Sequence, residues 1–97
     1  MKTERNYTLA LTAACAVCGI SQNELFHGRT EVCVDGRMLL VGWMSGYGYT
    51  EATLSRLTGW SQQRINYLKN QAAGRLMRRV FRDNYDDMTR KMTELIG

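Results

Sequence analysis

The chain contains no proline among its 97 residues, and this absence strongly limits the folds it can adopt. Proline interrupts helices more strongly than any other residue, so long helical segments remain open along the whole sequence. The nine glycines are left as the main residues that can end a helix or form a tight turn. Because 44% of the residues are hydrophobic and 23% are charged, the composition is typical of a globular chain. One domain over residues 1–97 with one modest core is therefore expected.

Helical periodicity and capping residues divide the first half of the chain into three helices. The first has an apolar face made of Tyr7, Leu11, Ala14, Cys15 and Cys18. Gly19 is expected to end this helix, and Ser21 with Glu24 matches the capping box of a short second helix. Thr30 is expected to cap a third helix that runs up to the glycine-rich segment 45–48. Its expected core residues are Val34, Met38, Leu40, Val41 and Met44.

The segment from Thr50 onward has the parts of a helix-turn-helix. Thr50 can cap a short helix over 51–58, and Gly59 can adopt the left-handed conformation that ends it. Ser61 can cap the next helix, whose apolar stripe consists of Ile65, Leu68, Ala72, Leu76 and Val80. A short helix, a tight glycine turn and a capped second helix form the layout of a DNA-reading motif. With a final helix expected to start near Asn84, the chain is predicted to be all-α, a compact bundle of five to six helices.

The second helix of the motif, about 61–74, carries side chains that suit a major groove. In a DNA-binding helix-turn-helix its N-terminal end enters the groove, where amides pair with adenine and arginine pairs with guanine. The candidates for base reading are Ser61, Gln62, Gln63, Arg64 and Asn66. Tyr67 is placed for a further groove contact, while Lys69 and Asn70 could reach phosphates, which fix the register. A solvated face in an ordinary helical bundle would show the same pattern.

Positive charge is concentrated in the second half of the chain. Residues 56–97 contain nine Lys or Arg and four Asp or Glu, whereas residues 1–55 contain four and five. This imbalance favours a polyanionic partner such as nucleic acid, although solubility alone would also account for it. A basic cluster with spacings of three and four residues is made of Arg75, Arg78, Arg79 and Arg82. On one continuing helix these residues would share a side, either contacting phosphates or pairing with the acids of 83–87.

Three segments between residues 8 and 70, about two-thirds of the chain, resemble the C-terminal DNA-binding domain of the bacterial replication initiator DnaA. They are Cys18-Gly19-Ile20-Ser21 with Leu25 and Arg29 after it, Val34-Asp35-Gly36-Arg37 before an apolar helix, and Tyr49 to Gly59. The last segment resembles the first helix of the family's motif with its closing glycine. The resemblance implies a helical fold related to the Trp repressor and binding to duplex DNA. It also matches Arg37 to a family arginine and so places Arg37 among the DNA-binding candidates; mid-helix, the same residue could serve packing and hydrogen bonding instead.

The chain departs from the family where the initiator reads its own target box. After the closing glycine the family has arginine, aspartate, histidine, two threonines and valine, whereas this chain has Trp60-Ser61-Gln62-Gln63-Arg64-Ile65. The family's basic loop is reduced to Arg29 within 27–30, and the ATPase module has no counterpart. The departures imply a stand-alone DNA-binding protein with a different specificity, such as a transcriptional or mobile-element regulator. The expected phosphate contacts come from Arg29, Arg56, Lys69 and Arg75.

A protein–protein adaptor that keeps the fold without reading DNA is the alternative prediction. The changed run after Gly59 motivates it. On this hypothesis the exposed face of the second motif helix and residues 82–97 dock a partner or a second copy. A homodimer through the C-terminal helices is also compatible with the DNA-binding prediction.

Other classes of function have little support in the sequence. With one histidine, no paired carboxylates in apolar surroundings and no phosphate-cradling loop, an enzyme is not expected. Zinc would need Cys15, Cys18, His27 and Cys33 as ligands. Because Cys15 and Cys18 lie on an apolar helix face, no metal or cofactor is predicted. A cytoplasmic protein with reduced thiols and no membrane span is expected, since long apolar runs and a convincing signal peptide are lacking.

Overall fold

A computed structural model describes residues 2–96, and within that range it contains six helices and no strand. The helices are α1 (Lys2–Cys18), α2 (Gln22–His27), α3 (Glu31–Gly46), α4 (Glu51–Thr58), α5 (Gln62–Arg75) and α6 (Arg79–Ile96). The prediction of an all-α bundle of five to six helices is thereby confirmed.

Helix α3 is the central helix of the bundle, with α1, α5, α2 and α6 packed around it. Its buried apolar side chains are Cys33, Met38, Leu39, Leu40, Val41, Trp43 and Met44. Four consecutive buried residues, 38–41, show that α3 is covered on all sides rather than on one face. Gly42 sets the approach of α5, because a Cβ there would lie 2.9 Å from the Cβ of Ala72. The partly buried Val34 packs at the edge of this core instead of within it.

Most of the expected capping interactions are present. Ser21 and Glu24 form the reciprocal capping box of α2. Thr50 Oγ1 accepts a hydrogen bond from the Thr53 backbone N–H at 3.2 Å. Thr30 occupies the N-cap position of α3 but makes no side-chain capping bond, since its hydroxyl donates to Cys33 Sγ at 3.1 Å. These local bonds fix where α2 and α4 begin.

The second motif helix, expected over about 61–74, is α5 (Gln62–Arg75), but the expectation that its apolar stripe continues through Val80 is wrong. Helix α5 ends at Arg75, and the chain tightens over 76–78 with Met77 N–H donating to Gly74 O at 3.3 Å. Gly74 in the last turn weakens the helix, because glycine loses more backbone freedom in a helix than any other residue. Val80 is 72% exposed and belongs to α6.

The last helix therefore starts at Arg79 and not near Asn84. The four arginines of the basic cluster do not share one side of a continuous helix, since Arg75 lies at the end of α5 while Arg79 and Arg82 lie on α6. Helix α6 packs on α1 and α3 and buries Phe81, Met88 and Met92. None of the six helices described is long and apolar enough to cross a lipid bilayer.

Candidate nucleic-acid interface

Helices α4 and α5 are joined by a turn whose side chains hold it in one conformation. Gly59 adopts φ +81°, the left-handed conformation expected of a glycine that closes a helix. The Ser55 hydroxyl donates to Trp60 O at 2.5 Å, and Thr58 Oγ1 accepts from the Trp60 backbone N–H at 3.1 Å. Ser61 Oγ accepts from the Arg64 backbone N–H at 3.1 Å, which caps α5. The two helices of the motif are thus fixed relative to each other.

Trp60 connects this turn to the rest of the fold. Its indole is nearly buried and packs against the Phe26 ring, with the ring centroids 5.3 Å apart. The Arg64 guanidinium lies 4.9 Å from the indole centroid, a cation–π distance. The contact with Phe26 brings the end of α2, and with it the loop that carries the exposed Arg29, to the start of α5. The Trp60 ring therefore contacts one base-reading candidate, Arg64, and packs against the helix that precedes the loop carrying Arg29.

The outward face of α5 is polar and carries no negative charge of its own. Ile65, Leu68 and Ala72 turn inward. The exposed residues between positions 62 and 70 are Gln62, Gln63, Arg64, Asn66, Tyr67, Lys69 and Asn70. Within residues 2–96, the side chains of Gln62, Gln63 and Tyr67 make no hydrogen bond to the protein. These three are consequently free to contact a ligand without breaking an intramolecular bond.

Three of the phosphate candidates are paired with carboxylates from other helices. Arg56 of α4 lies 3.4 Å from Glu4 Oε1 of α1. A backbone hydrogen bond, helped less strongly by Arg56, lowers the pKa of the Glu4 carboxyl. The half-buried Arg75 contacts Asp35, and its Nη1 lies 4.0 Å from Glu31 Oε1. These ion pairs link α4 to α1 and α5 to α3, so a phosphate would have to compete for each arginine.

The third of these phosphate candidates, Lys69, is paired with a carboxylate of the motif itself, that of Glu51. Lys69 Nζ of α5 lies 3.7 Å from Glu51 Oε1 of α4, and Asn66 Nδ2 donates to the same oxygen at 2.9 Å. Asn66 Oδ1 in turn accepts from Asn70 Nδ2 at 3.1 Å. Sequence patterns did not single out Glu51, because its partners follow fifteen or more positions later across the turn.

Arg37, which the family resemblance places among the DNA-contacting residues, lies inside the protein. Its side chain is only 8% exposed, and Nη1 donates to the backbone oxygen of Leu25 at 2.7 Å. Burial lowers the pKa of this guanidinium, and the nearby positive charge of Arg64 lowers it further. Arg37 thus ties α3 to α2, as the packing alternative expects, and it is not part of the exposed interface.

The cysteines lie apart from this interface and are free thiols. Burial raises the pKa of the Cys18 thiol to about 11, so it is protonated at neutral pH. In the part of the chain that the structure describes, no three His, Cys, Asp or Glu residues are grouped so that they could hold a metal ion. The chemistry on the outward face of α5 is therefore that of amides, cations and hydroxyls.

No protein-family model matches the chain, and neither a curated protein nor a solved structure is significantly similar to it.

Proposed function

We propose that this protein binds duplex DNA through α4, the turn at 59–61 and α5, as a transcriptional or mobile-element regulator. The observation that carries the proposal is the start of α5, where Gln62, Gln63 and Tyr67 are exposed without an intramolecular partner. The unpaired amides of Gln62 and Gln63 can form hydrogen bonds with base edges in a major groove. They lie at the capped N-terminus of α5, whose positive polarisation favours a polyanion. Because α5 itself contains no acidic residue, the helix that would enter the groove adds no repulsion of its own against the phosphates.

Each exposed group has a proposed role. Gln62 and Gln63 pair with adenine edges, while Arg64, held beside Trp60, pairs with guanine. Ser61 keeps its capping bond to Arg64 and has its hydroxyl proton left to donate. Asn66 lies one turn further along and Asn70 two turns, and both contact bases or phosphates, while Tyr67 makes a further groove contact. The phosphate contacts come from Arg29, Arg56, Lys69 and Arg75, of which the last three must exchange a carboxylate for a phosphate.

The relationship to the DNA-binding domain of DnaA is part of this proposal. It rests on the sequence landmarks, and two of them have clear local roles in the fold. Gly59 ends α4 in the left-handed conformation, and Arg37 bonds the backbone of Leu25. The residues that differ from the initiator, 60–65, are those at the exposed start of α5. We therefore expect a DNA target that is not the replication-origin box.

Fluorescence anisotropy with a pool of randomised duplexes, titrated at several salt concentrations, tests the proposal. We expect a Kd on the order of micromolar or tighter that weakens steeply with salt, and sequencing of the retained duplexes then gives the target. Gln62→Ala combined with Gln63→Ala should abolish the sequence preference while the protein stays folded. The matched control is Gln22→Ala on α2, an exposed glutamine away from the motif. Flat anisotropy at low salt would overturn the proposal.

A protein–protein adaptor is the second candidate, and the exposed apolar residues around the α5–α6 turn favour it. Met77 is 88% exposed and Val80 72%, and Val32 of α3 is also exposed. Such residues are common in interaction surfaces when they cluster. This candidate predicts a stable complex with another protein or a homodimer through α6, together with no DNA affinity. Light scattering on the purified protein and the same anisotropy titration distinguish it from DNA binding.

A further inference from the structure

The Glu51 carboxylate contacts two of the polar side chains on the outward face of α5, those of Asn66 and Lys69. Its Oε1 accepts from Asn66 Nδ2 at 2.9 Å and lies 3.7 Å from Lys69 Nζ. Asn66 also accepts from Asn70, so both ends of its amide are engaged. The positive charge of Lys69 is therefore partly screened by Glu51 in the free protein.

Glu51 differs from the other carboxylates that pair with candidate phosphate contacts. Glu4 and Asp35 belong to α1 and α3, whereas Glu51 lies in the first turn of α4, within the motif. It is the one carboxylate here that holds a base-reading candidate as well as a cation. Because the Lys69 and Glu51 side chains are partly exposed, the pair is weak enough to be exchanged for a phosphate.

We propose that Glu51 limits the affinity of this face for duplex DNA, and that it does so by holding Lys69 and Asn66. A phosphate that binds Lys69 must displace the carboxylate, which then remains close to the polyanion. Both effects weaken the sequence-independent part of binding. Glu51 does not contact Gln62 or Gln63, which lie about one turn before Asn66 on α5. The contribution of these two side chains to the binding free energy is therefore unaffected by Glu51. Glu51 is thus a positioning residue that raises selectivity, an inference that rests on the proposed DNA binding.

The test is Glu51→Gln in the full chain, measured by anisotropy against the randomised duplex pool at several salt concentrations. Glutamine keeps an oxygen that can accept from Asn66 and removes only the charge. We expect binding to tighten roughly three- to tenfold at low salt, because one lysine becomes available for a phosphate. The slope of log Kd against log salt should steepen by about 0.9, the value for one additional phosphate contact.

Two further variants separate this mechanism from a general change in charge. Glu94→Gln makes the same change in net charge on the exposed surface of α6, and it should leave the affinity and the salt slope unchanged. Lys69→Gln removes a proposed phosphate contact, so it should weaken binding by itself and should cancel the gain of Glu51→Gln when the two are combined. If Glu51→Gln were to unfold, Lys69→Gln alone still tests the inference: because Glu51 competes for this lysine, its removal should lower the salt slope by clearly less than the value of about 0.9 for a full phosphate contact.

The outcomes that overturn the inference differ from those that overturn DNA binding. If the wild type binds and Glu51→Gln has the same Kd and salt slope, or weakens binding, only the role of Glu51 is overturned. Equal gains from Glu51→Gln and Glu94→Gln, or a gain that survives Lys69→Gln, would also overturn it. If neither the wild type nor Glu51→Gln binds the pool at low salt, both proposals fail.

Discussion

At the scale of single residues, the arginines of this chain have different roles, and besides those paired with carboxylates, such as Arg56 and Arg75, two kinds stand out. Arg37 is buried and donates to a backbone carbonyl, so its guanidinium serves the fold. Arg29 and Arg64 are exposed and have no carboxylate partner among residues 2–96. The charge of an arginine therefore says little about its role until its burial and partners are known.

Substitutions at Arg37 and Arg29 should distinguish an arginine that stabilises the fold from one that contributes to DNA affinity. Arg37→Met keeps the aliphatic part of the side chain but leaves the Leu25 carbonyl without its donor, which should lower the free energy of unfolding by about 1–3 kcal/mol. Urea titration followed by circular dichroism measures this change. Arg29→Ala is the matched control, because it removes an exposed arginine and should affect DNA affinity with no loss of stability. Equal stability of Arg37→Met and the wild type would show that the buried bond has no structural importance.

At the scale of helices, two glycines, Gly42 on α3 and Gly74 on α5, have opposite effects on packing. Gly42 allows α5 to approach α3, since a Cβ there would meet Ala72 at 2.9 Å. Gly74 has no neighbouring atom within 4 Å of the place where a Cβ would be. Glycine is required sterically at the first position, whereas at the second it only weakens the end of α5.

Alanine substitutions at these two positions should change stability in opposite directions. Gly42→Ala should destabilise the protein by about 1–3 kcal/mol through overpacking against Ala72. Gly74→Ala should stabilise it by about 0.5–1 kcal/mol, because alanine favours the helix and fits without contact. Thermal unfolding of the two variants side by side measures both effects. A loss of stability in Gly74→Ala would mean that the break between α5 and α6 needs glycine for a reason other than helix propensity.

The sequence predicted those elements whose signals are local. The caps at Thr50 and Ser61 and the closing Gly59 each act within four residues, so their patterns identified the ends of α4 and the start of α5 correctly. The end of α5 was missed because Leu76 and Val80 happen to continue the helical spacing of the apolar stripe. The pairing of Glu51 with Asn66 joins residues fifteen positions apart, and periodicity within a single helix carries no information about such a contact.

At the scale of the whole molecule, α6 is part of the core and not an appendage to the motif. It packs along α1 and against α3, and the Trp43 indole N–H donates to Thr89 Oγ1 at 3.2 Å. Phe81, Met88 and Met92 are at most 3% exposed. The surface of α6 that remains for a second copy or a partner is mostly polar and includes Arg82, Asp86 and Arg90, with Val80 and Leu95 exposed near its two ends. Docking along the middle of α6 would therefore use charged side chains, whereas its two ends also offer apolar contacts.

Removal of α6 should unfold the domain and with it the proposed DNA-binding face. Three large apolar side chains buried by α6 contribute about 1.5–3 kcal/mol each, a sum comparable with the whole stability of a small domain. We expect a chain that stops at Arg78 to lose its cooperative thermal transition, and Met88→Ala in the full chain to lose about 2–5 kcal/mol. The control is Arg90→Ala on the outward side of the same helix, which should unfold at nearly the wild-type temperature. A truncated chain that still unfolds cooperatively and binds the duplex pool would show instead that α1 to α5 form the DNA-binding unit and that α6 is free for another partner.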